Sequence, residues 1–193
     1  MDKLLQFYIN GEWVTPHSAD TMPVFNPANA QQVAEVALGN EADVDRAVAA
    51  AQSAFDSFSL ISKFERLSLL RRIREVTERR FEDLAQAMRL EMGAPITMAR
   101  EAQADAAIGH LDGFISALEK LEERENFDNG EVLLREPIGV CGLITPWNWP
   151  INQVVLKVLP VIATGCTCVL KPSEHTPVSA MLYAEILDEA GVP

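Results

Sequence analysis

A chain of 193 residues, 48% apolar and 23% charged, has the size and balance of one globular domain or of part of a larger protein. Its formal net charge of −12 repels phosphate backbones and anionic lipid, which excludes nucleic acid and membrane surfaces as expected partners. Three cysteines, with no apolar leader-like run near Met1, argue against a disulfide framework, and no apolar run reaches the roughly 18 residues of a membrane span, so a reducing cytoplasm is the expected setting.

In chain order, Asn10-Gly11 between Phe7-Tyr8-Ile9 and Trp13-Val14 predicts a hairpin, because both central turn positions need positive φ. Phe25-Asn26-Pro27-Ala28-Asn29 reads as a turn, and residues 33–37 as a short strand that ends at Gly39. Asn40 is an expected N-cap for a helix over 41–55, with Val44, Ala47, Val48, Ala51 and Phe55 as its apolar face. Ser62 and Glu65 have capping-box spacing ahead of a second helix whose stripe is Leu67, Leu70, Ile73 and Val76. A third helix over 81–92 stops at Gly93, and a fourth covers 96–121. The charges of these helices are expected on the outside, with no chemistry among them. Residues 122–134 change character: a charged run, an Asp128-Asn129-Gly130 turn and the strand signal Val132-Leu133-Leu134 predict an excursion from the helical layer toward an assembly edge.

The last third carries the information. Residues 138–145 (IGVCGLIT) read as a buried strand broken by Pro146-Trp147-Asn148-Trp149-Pro150. Pro150 suits the first turn of a helix with Ile151, Val154, Val155, Val158 and Ile162 on one face, which Pro160 should kink or end. Gly165 is an expected cap, Cys166–Leu170 a second buried strand ended by Lys171-Pro172, and Thr176 the cap of a final helix from Pro177 to about residue 190. Strand, helix, strand is a βαβ unit with parallel strands, so the fold class is α/β. Ligands of such sheets sit beyond the carboxyl ends of the strands. That rule selects residues 145–148 and 171–174, on one sheet edge.

Asn148 offers an un-ionisable amide N–H₂ that can stabilise an oxyanion; it can equally be a turn residue bonded to nearby backbone. Lys171 and Glu174 can bind ribose hydroxyls, one donating and one accepting, and the carboxylate would repel a 2′-phosphate; they can equally be a solvated pair before a helix. Cys141, Cys166 and Cys168 on buried strands read as packing residues, Cys-x-Cys with distant His110 and His175 is a poor metal pattern, and no metal is expected. His17, His110 and His175 read as surface or capping residues.

Residues 144–150 resemble the PWN(F/Y)P signature of aldehyde dehydrogenases, with Trp149 in place of the usual Phe or Tyr. Residues 165–174 (GCTCVLKPSE), followed by Thr176-Pro177, resemble the second cofactor segment of the same family. Residues 25–28, 43–48, Glu65-Arg66 and 91–93 resemble further landmarks in the family's order, so the resemblance covers nearly the whole chain. It implies an N-terminal helical layer plus the first βαβ unit of a parallel, Rossmann-like cofactor sheet. It implies residues 1–121 as hairpin and helices, 122–136 as the excursion toward an oligomerisation sheet, and 137–193 as the start of the cofactor sheet, with the catalytic domain absent.

By the same resemblance, Asn148 helps hold the substrate oxyanion. Ile144, Thr145, Pro146 and Trp147 line the cofactor path, and Lys171 and Glu174 bind the adenosine ribose with Ser173 between them. The implied cofactor is NAD, with NADP as the alternative, and the implied partner is a small-molecule aldehyde in a homodimer or homotetramer. The implied chemistry is covalent: a cysteine thiolate attacks the aldehyde, hydride passes to the nicotinamide, and a glutamate-activated water releases the acid from the thioester. The family's nucleophile and glutamate lie downstream of the segment matched here, so the expectation is a partial chain inactive alone. A truncated nucleotide-binding or interaction module without catalysis, and a CoA-acylating relative, are the alternatives.

Overall fold

The computed structural model describes residues 2–193, so Met1, in the leader reading above, lies outside the described residues. After a short 3-10 turn at Asp2–Leu5, β1 (Phe7–Ile9) and β2 (Glu12–Val14) form the expected hairpin, with Asn10 at φ 56 and Gly11 at φ 73. A second antiparallel pair follows, β3 (Thr21–Asn26) and β4 (Gln31–Ala37). The turn predicted from Phe25 begins only at Asn26, whose Oδ1 accepts the Ala28 N–H at 2.9 Å. Phe25 itself is paired in β3, a strand that the sequence pattern had not indicated.

Helix α1 (Glu41–Phe58) starts at Asn40 with a reciprocal capping box to Asp43. Its predicted apolar face is only partly buried. Val44 and Val48 are 53% and 43% exposed, while Asp43, Ala51 and Phe58 are buried. The helix is rotated because Asp43 turns inward, where it also accepts the His17 and Ser18 N–H groups at 2.7 and 3.3 Å. α2 (Lys63–Arg79) has the expected Ser62–Glu65 box and buries all four predicted stripe residues. α3 (Phe81–Met92) ends at Gly93, φ 71, in the left-handed conformation that a helix-terminating glycine allows.

The fourth predicted helix is continuous but not uniform. α4 (Ile96–Met98) leads into a π-helical turn over Ala99–Ala104, and α5 (Asp105–Lys120) follows. The Asp105 N–H reaches the Arg100 carbonyl, five residues back, so this turn holds an extra residue. Extrapolating the buried Ala104, Ala107, Leu111 stripe backward at 3.6 residues per turn would bring Arg100 inward. The wide turn buries Ala99 instead and leaves Arg100 outside, bidentate on Glu82 at 2.8 and 2.9 Å.

β5 (Arg124–Asn126) and β6 (Val132–Leu134) form an antiparallel hairpin around Gly130, φ 87. Phe127, Val132, Leu133 and Leu134 on it are all exposed. Its base is held by buried Arg66, which donates to the Ala163 carbonyl at 2.9 Å, to the Ile61 carbonyl at 2.7 Å, and to Glu123. The charges of the N-terminal helices are therefore not all outside: Asp43, Arg66 and Glu91 are 5%, 4% and 3% exposed.

β7 (Val140–Ile144), α6 (Pro150–Ala163) and β8 (Thr167–Lys171) make the expected parallel βαβ unit, with Cys141 opposite Cys168 and Leu143 opposite Leu170. Leu143 and Leu170 pack on the helical core. Strand alternation turns Thr167 the other way, where its hydroxyl donates to the Ala51 carbonyl of α1 at 2.8 Å. The strands are less buried than their apolar sequence implies: Ile138 and Ile144 are 88% and 74% exposed, and Cys141 is half-buried, because a two-stranded sheet leaves flanks uncovered.

α6 buries all five predicted face residues and runs through Pro160 to Ala163 rather than ending there. Proline removes one donor to the carbonyl four residues back, that of Leu156. Leu156 is 38% exposed, so water can reach that side of the helix. α7 (Pro177–Glu189) follows β8. The core joins α2, α3, α5, α6 and α7 through Leu70, Ile73, Leu84, Leu111, Leu159 and Tyr183, each fully buried.

Candidate active-site edge

Parallel pairing of β7 and β8 brings both predicted clusters to one edge of the sheet. The Thr145 N–H continues the ladder to the Lys171 carbonyl at 3.3 Å, so the residues leaving the two strands start side by side. Thr145 is buried, whereas Ile144, Pro146, Trp147 and Asn148 are exposed. Pro150 occupies the first turn of α6, where a missing N–H costs nothing, and Trp149 takes the cap position without a side-chain cap bond. Asn148 thus stands just ahead of the positive end of a 14-residue helix. His110 and the Asn152 Oδ1 meet at 2.7 Å beside the same helix end.

After β8, the Lys171 Nζ lies 2.6 Å from the Glu174 Oε2. The hydrogen bond from Lys171 holds the Glu174 carboxyl below its ordinary range, so it is ionised near neutral pH. Donor and acceptor sit together on the surface, an arrangement able to grip adjacent hydroxyls. Ser173 differs from them: it is buried, and its hydroxyl accepts the His175 N–H at 3.3 Å, which makes it a turn residue. Trp147, from the first cluster, lines an open, mostly apolar cleft of about 380 Å³ together with Phe25, Pro27, Met92, His175 and Thr176.

Thr176 does not cap α7 with its side chain, contrary to the sequence expectation. Glu91, from the end of α3, does so: its carboxylate accepts the Val178 N–H at 2.5 Å and the Ser179 N–H at 3.1 Å. Burial pushes this carboxyl up to about 7, against the opposing pull of the helix N–H groups. Glu91-Met92-Gly93 carries no local sign of this role in the sequence. Its partners lie 87 and 88 positions away, beyond any local pattern.

Two of the three cysteines are held as thiols. Burial, then the neighbouring thiols, pushes Cys168 up to about 12, and burial also raises Cys141. Cys166 is buried behind β8. Among the described residues, no group of three or more His, Cys, Asp or Glu side chains could hold a metal ion. His17 and His110 each meet an asparagine side chain, and His175 is exposed.

Comparison with known proteins gives a consistent result. The model of the aldehyde dehydrogenase family matches residues 13–193. A 3-succinoylsemialdehyde-pyridine dehydrogenase from a Pseudomonas species is 48% identical over 189 residues, covering 97% of this chain and 39% of that protein. An aldehyde dehydrogenase from Bartonella henselae superposes with a TM-score of 0.95 at 46% identity, over 97% of this chain and 40% of that one. A mutant aldehyde dehydrogenase from Pseudomonas syringae, solved with NAD+ and octanal, superposes over 100% of this chain and 39% of its own, with a TM-score of 0.97 at 47% identity. The chain therefore spans about two fifths of the length of the relatives it matches.

Proposed function

The chain belongs to the aldehyde dehydrogenase family, and from that premise we propose that it supplies the oxyanion asparagine and the adenosine-ribose flank of the cofactor cleft in NAD-dependent oxidation of an aldehyde to a carboxylic acid. The observation that carries this reading is the shared edge. Asn148 stands ahead of α6 beyond one parallel strand, and the Lys171–Glu174 pair stands beyond the other. Asn148 presents its amide N–H₂ to an oxygen that gains negative charge, helped by the helix end behind it. Glu174 accepts from ribose hydroxyls and Lys171 donates to them, while Ile144, Thr145, Pro146 and Trp147 form the path between ribose and Asn148. Ser173 acts from behind, shaping the turn that carries Glu174. When bound, NAD supplies the hydride acceptor.

Cys141 and Cys168 are held as thiols and Cys166 is buried, so the nucleophile is assigned to the part of the fold that the relatives have beyond the matched two fifths. In the same reading, residues 1–121 support the site and residues 137–193 open the cofactor sheet. Residues 122–136 form the surface through which the complete enzyme assembles as a homodimer or homotetramer, supported by the exposed Phe127, Leu133 and Leu134. No helix among the described residues is long and apolar enough to cross a membrane; the cytoplasm is the proposed setting.

The test uses the complete enzyme, residues 1–193 continued by the rest of the family fold. A 2′-phosphate would set negative charge beside Glu174 and remove a hydroxyl donor. A lost hydrogen bond to a charged group costs about 1.5–3 kcal/mol, so kcat/KM should favour NAD over NADP by at least about tenfold. Glu174→Ser should collapse that ratio. A native preference for NADP, or a ratio unmoved by the substitution, refutes the assignment.

A further inference from the structure

Glu91 lies in the last turn of α3, 3% exposed, and its two oxygens take the Val178 and Ser179 N–H groups of the first turn of α7. Helix N–H groups are ordinarily satisfied by a Ser, Thr, Asp or Asn within the same segment. Here Thr176 holds the cap position without using its side chain, and a carboxylate is buried on another helix to serve instead. Burying a carboxylate is costly, and a local cap would satisfy the same N–H groups without it. What the distant cap adds is a fixed relation between the end of α3 and the start of α7.

The end of α3 is itself pinned. A Cβ on Gly93 would come within 2.9 Å of Pro27 Cγ and 3.1 Å of the Ala28 nitrogen, so the helix terminus lies hard against the β3–β4 turn. On the other side, Glu174 precedes Val178 by four positions. The intervening turn is internally tied, with the Thr176 N–H on the Ser173 carbonyl at 3.2 Å and the His175 N–H on the Ser173 hydroxyl at 3.3 Å. A shift in the first turn of α7 is thus carried to Glu174 rather than absorbed.

We infer that Glu91 is a positioning residue for cofactor binding, setting through α7 where Glu174 and Lys171 stand; this rests on the ribose role proposed above. The test is steady-state kinetics of the complete enzyme with Glu91→Gln, which keeps the volume and loses the double acceptor. At about pH 8, where Glu91 is ionised and a charge-assisted bond is lost at a positioning contact, KM for NAD should rise about tenfold, while kcat and the aldehyde KM stay within about twofold. Adding Thr176→Asp places an acceptor at the local cap and should recover most of the loss. A role in packing alone would not respond to that second change. Should Glu91→Gln fail to fold, Glu91→Asp keeps the charge at shorter reach and should give a smaller rise with the same selectivity.

An unchanged KM for NAD, a parallel rise of both KM values, or no recovery with Thr176→Asp overturns the inference. The Glu174→Ser ratio separates the two levels. If that ratio moves while Glu91→Gln leaves KM for NAD unchanged, the positioning role alone falls; if the ratio does not move, the ribose reading falls with it.

Discussion

Glu91 also makes the stability of the fold depend on pH in an unusual direction. Burial raises its carboxyl from 4.5 to about 7 in the folded chain. Between those values the folded chain holds a proton that the unfolded chain has released, so stability falls as pH rises. The contribution is full below about 4.5, is lost progressively, and is gone above about 7. At about 1.4 kcal/mol per pH unit, that interval corresponds to about 3 kcal/mol. Glu82 acts oppositely: held down to about 2 by Arg100 and Gln86, it stabilises at neutral pH and its contribution is lost only in acid. Urea unfolding of native and Glu91→Gln chains, at pH values from about 4.5 to 8, isolates the Glu91 contribution because every other group titrates alike in both. The stability difference, native minus variant, should fall by about 3 kcal/mol across that range. A constant difference, or one that grows with pH, would refute the reasoning.

Gly93→Ala should destabilise the fold by about 1–3 kcal/mol, since alanine must adopt φ +71 and meet Pro27 at 2.9 Å; a neutral urea midpoint would contradict this. Arg66→Met removes the bonds to the Ala163 and Ile61 carbonyls and to Glu123 and should cost about 2–4 kcal/mol. Amide exchange over residues 124–134 should quicken in that variant, and unaltered protection there would show that Arg66 does not moor the hairpin. The 193-residue chain should self-associate with concentration, because Ile138, Ile144 and Trp147 are 88%, 74% and 55% exposed. Light scattering that reports a monomer at every concentration would rule this out.

Local signals in the sequence were accurate where the determinant is local. The Asn10-Gly11 turn, the Ser62–Glu65 box, the Gly93 stop and Pro150 at a helix start all act within a few residues, and each stands where the pattern put it. The shared edge of residues 145–148 and 171–174 was legible because parallel pairing follows from a helix between two apolar strands. What escaped was set by partners far along the chain. The α1 face departs from its hydrophobic pattern, which favours Val44 inside, because the N–H groups at His17, Ser18 and Asn40 draw Asp43 there. Thr176 is the cap that the local sequence offers for α7, since nothing near it reveals Glu91. Strand burial was overestimated because apolar composition reports what a strand could cover, not how many neighbours it has.

The π-helical turn at Ala99–Ala104 has a consequence for chain length. Insertions and deletions are usually confined to surface loops, since a residue added to or lost from a helix rotates everything beyond it by about 100°. A turn closed by an Asp105-to-Arg100 bond already holds one residue more than α geometry requires. Deleting Arg100 would close it to an ordinary turn, with Ile96 and the buried Leu111 stripe both left in phase. The loss would be confined to the exposed Arg100–Glu82 pair, a solvated contact that contributes little. The interior of this helix thus carries its own slack, a site where the length of the chain can drift by one residue beneath an unchanged core.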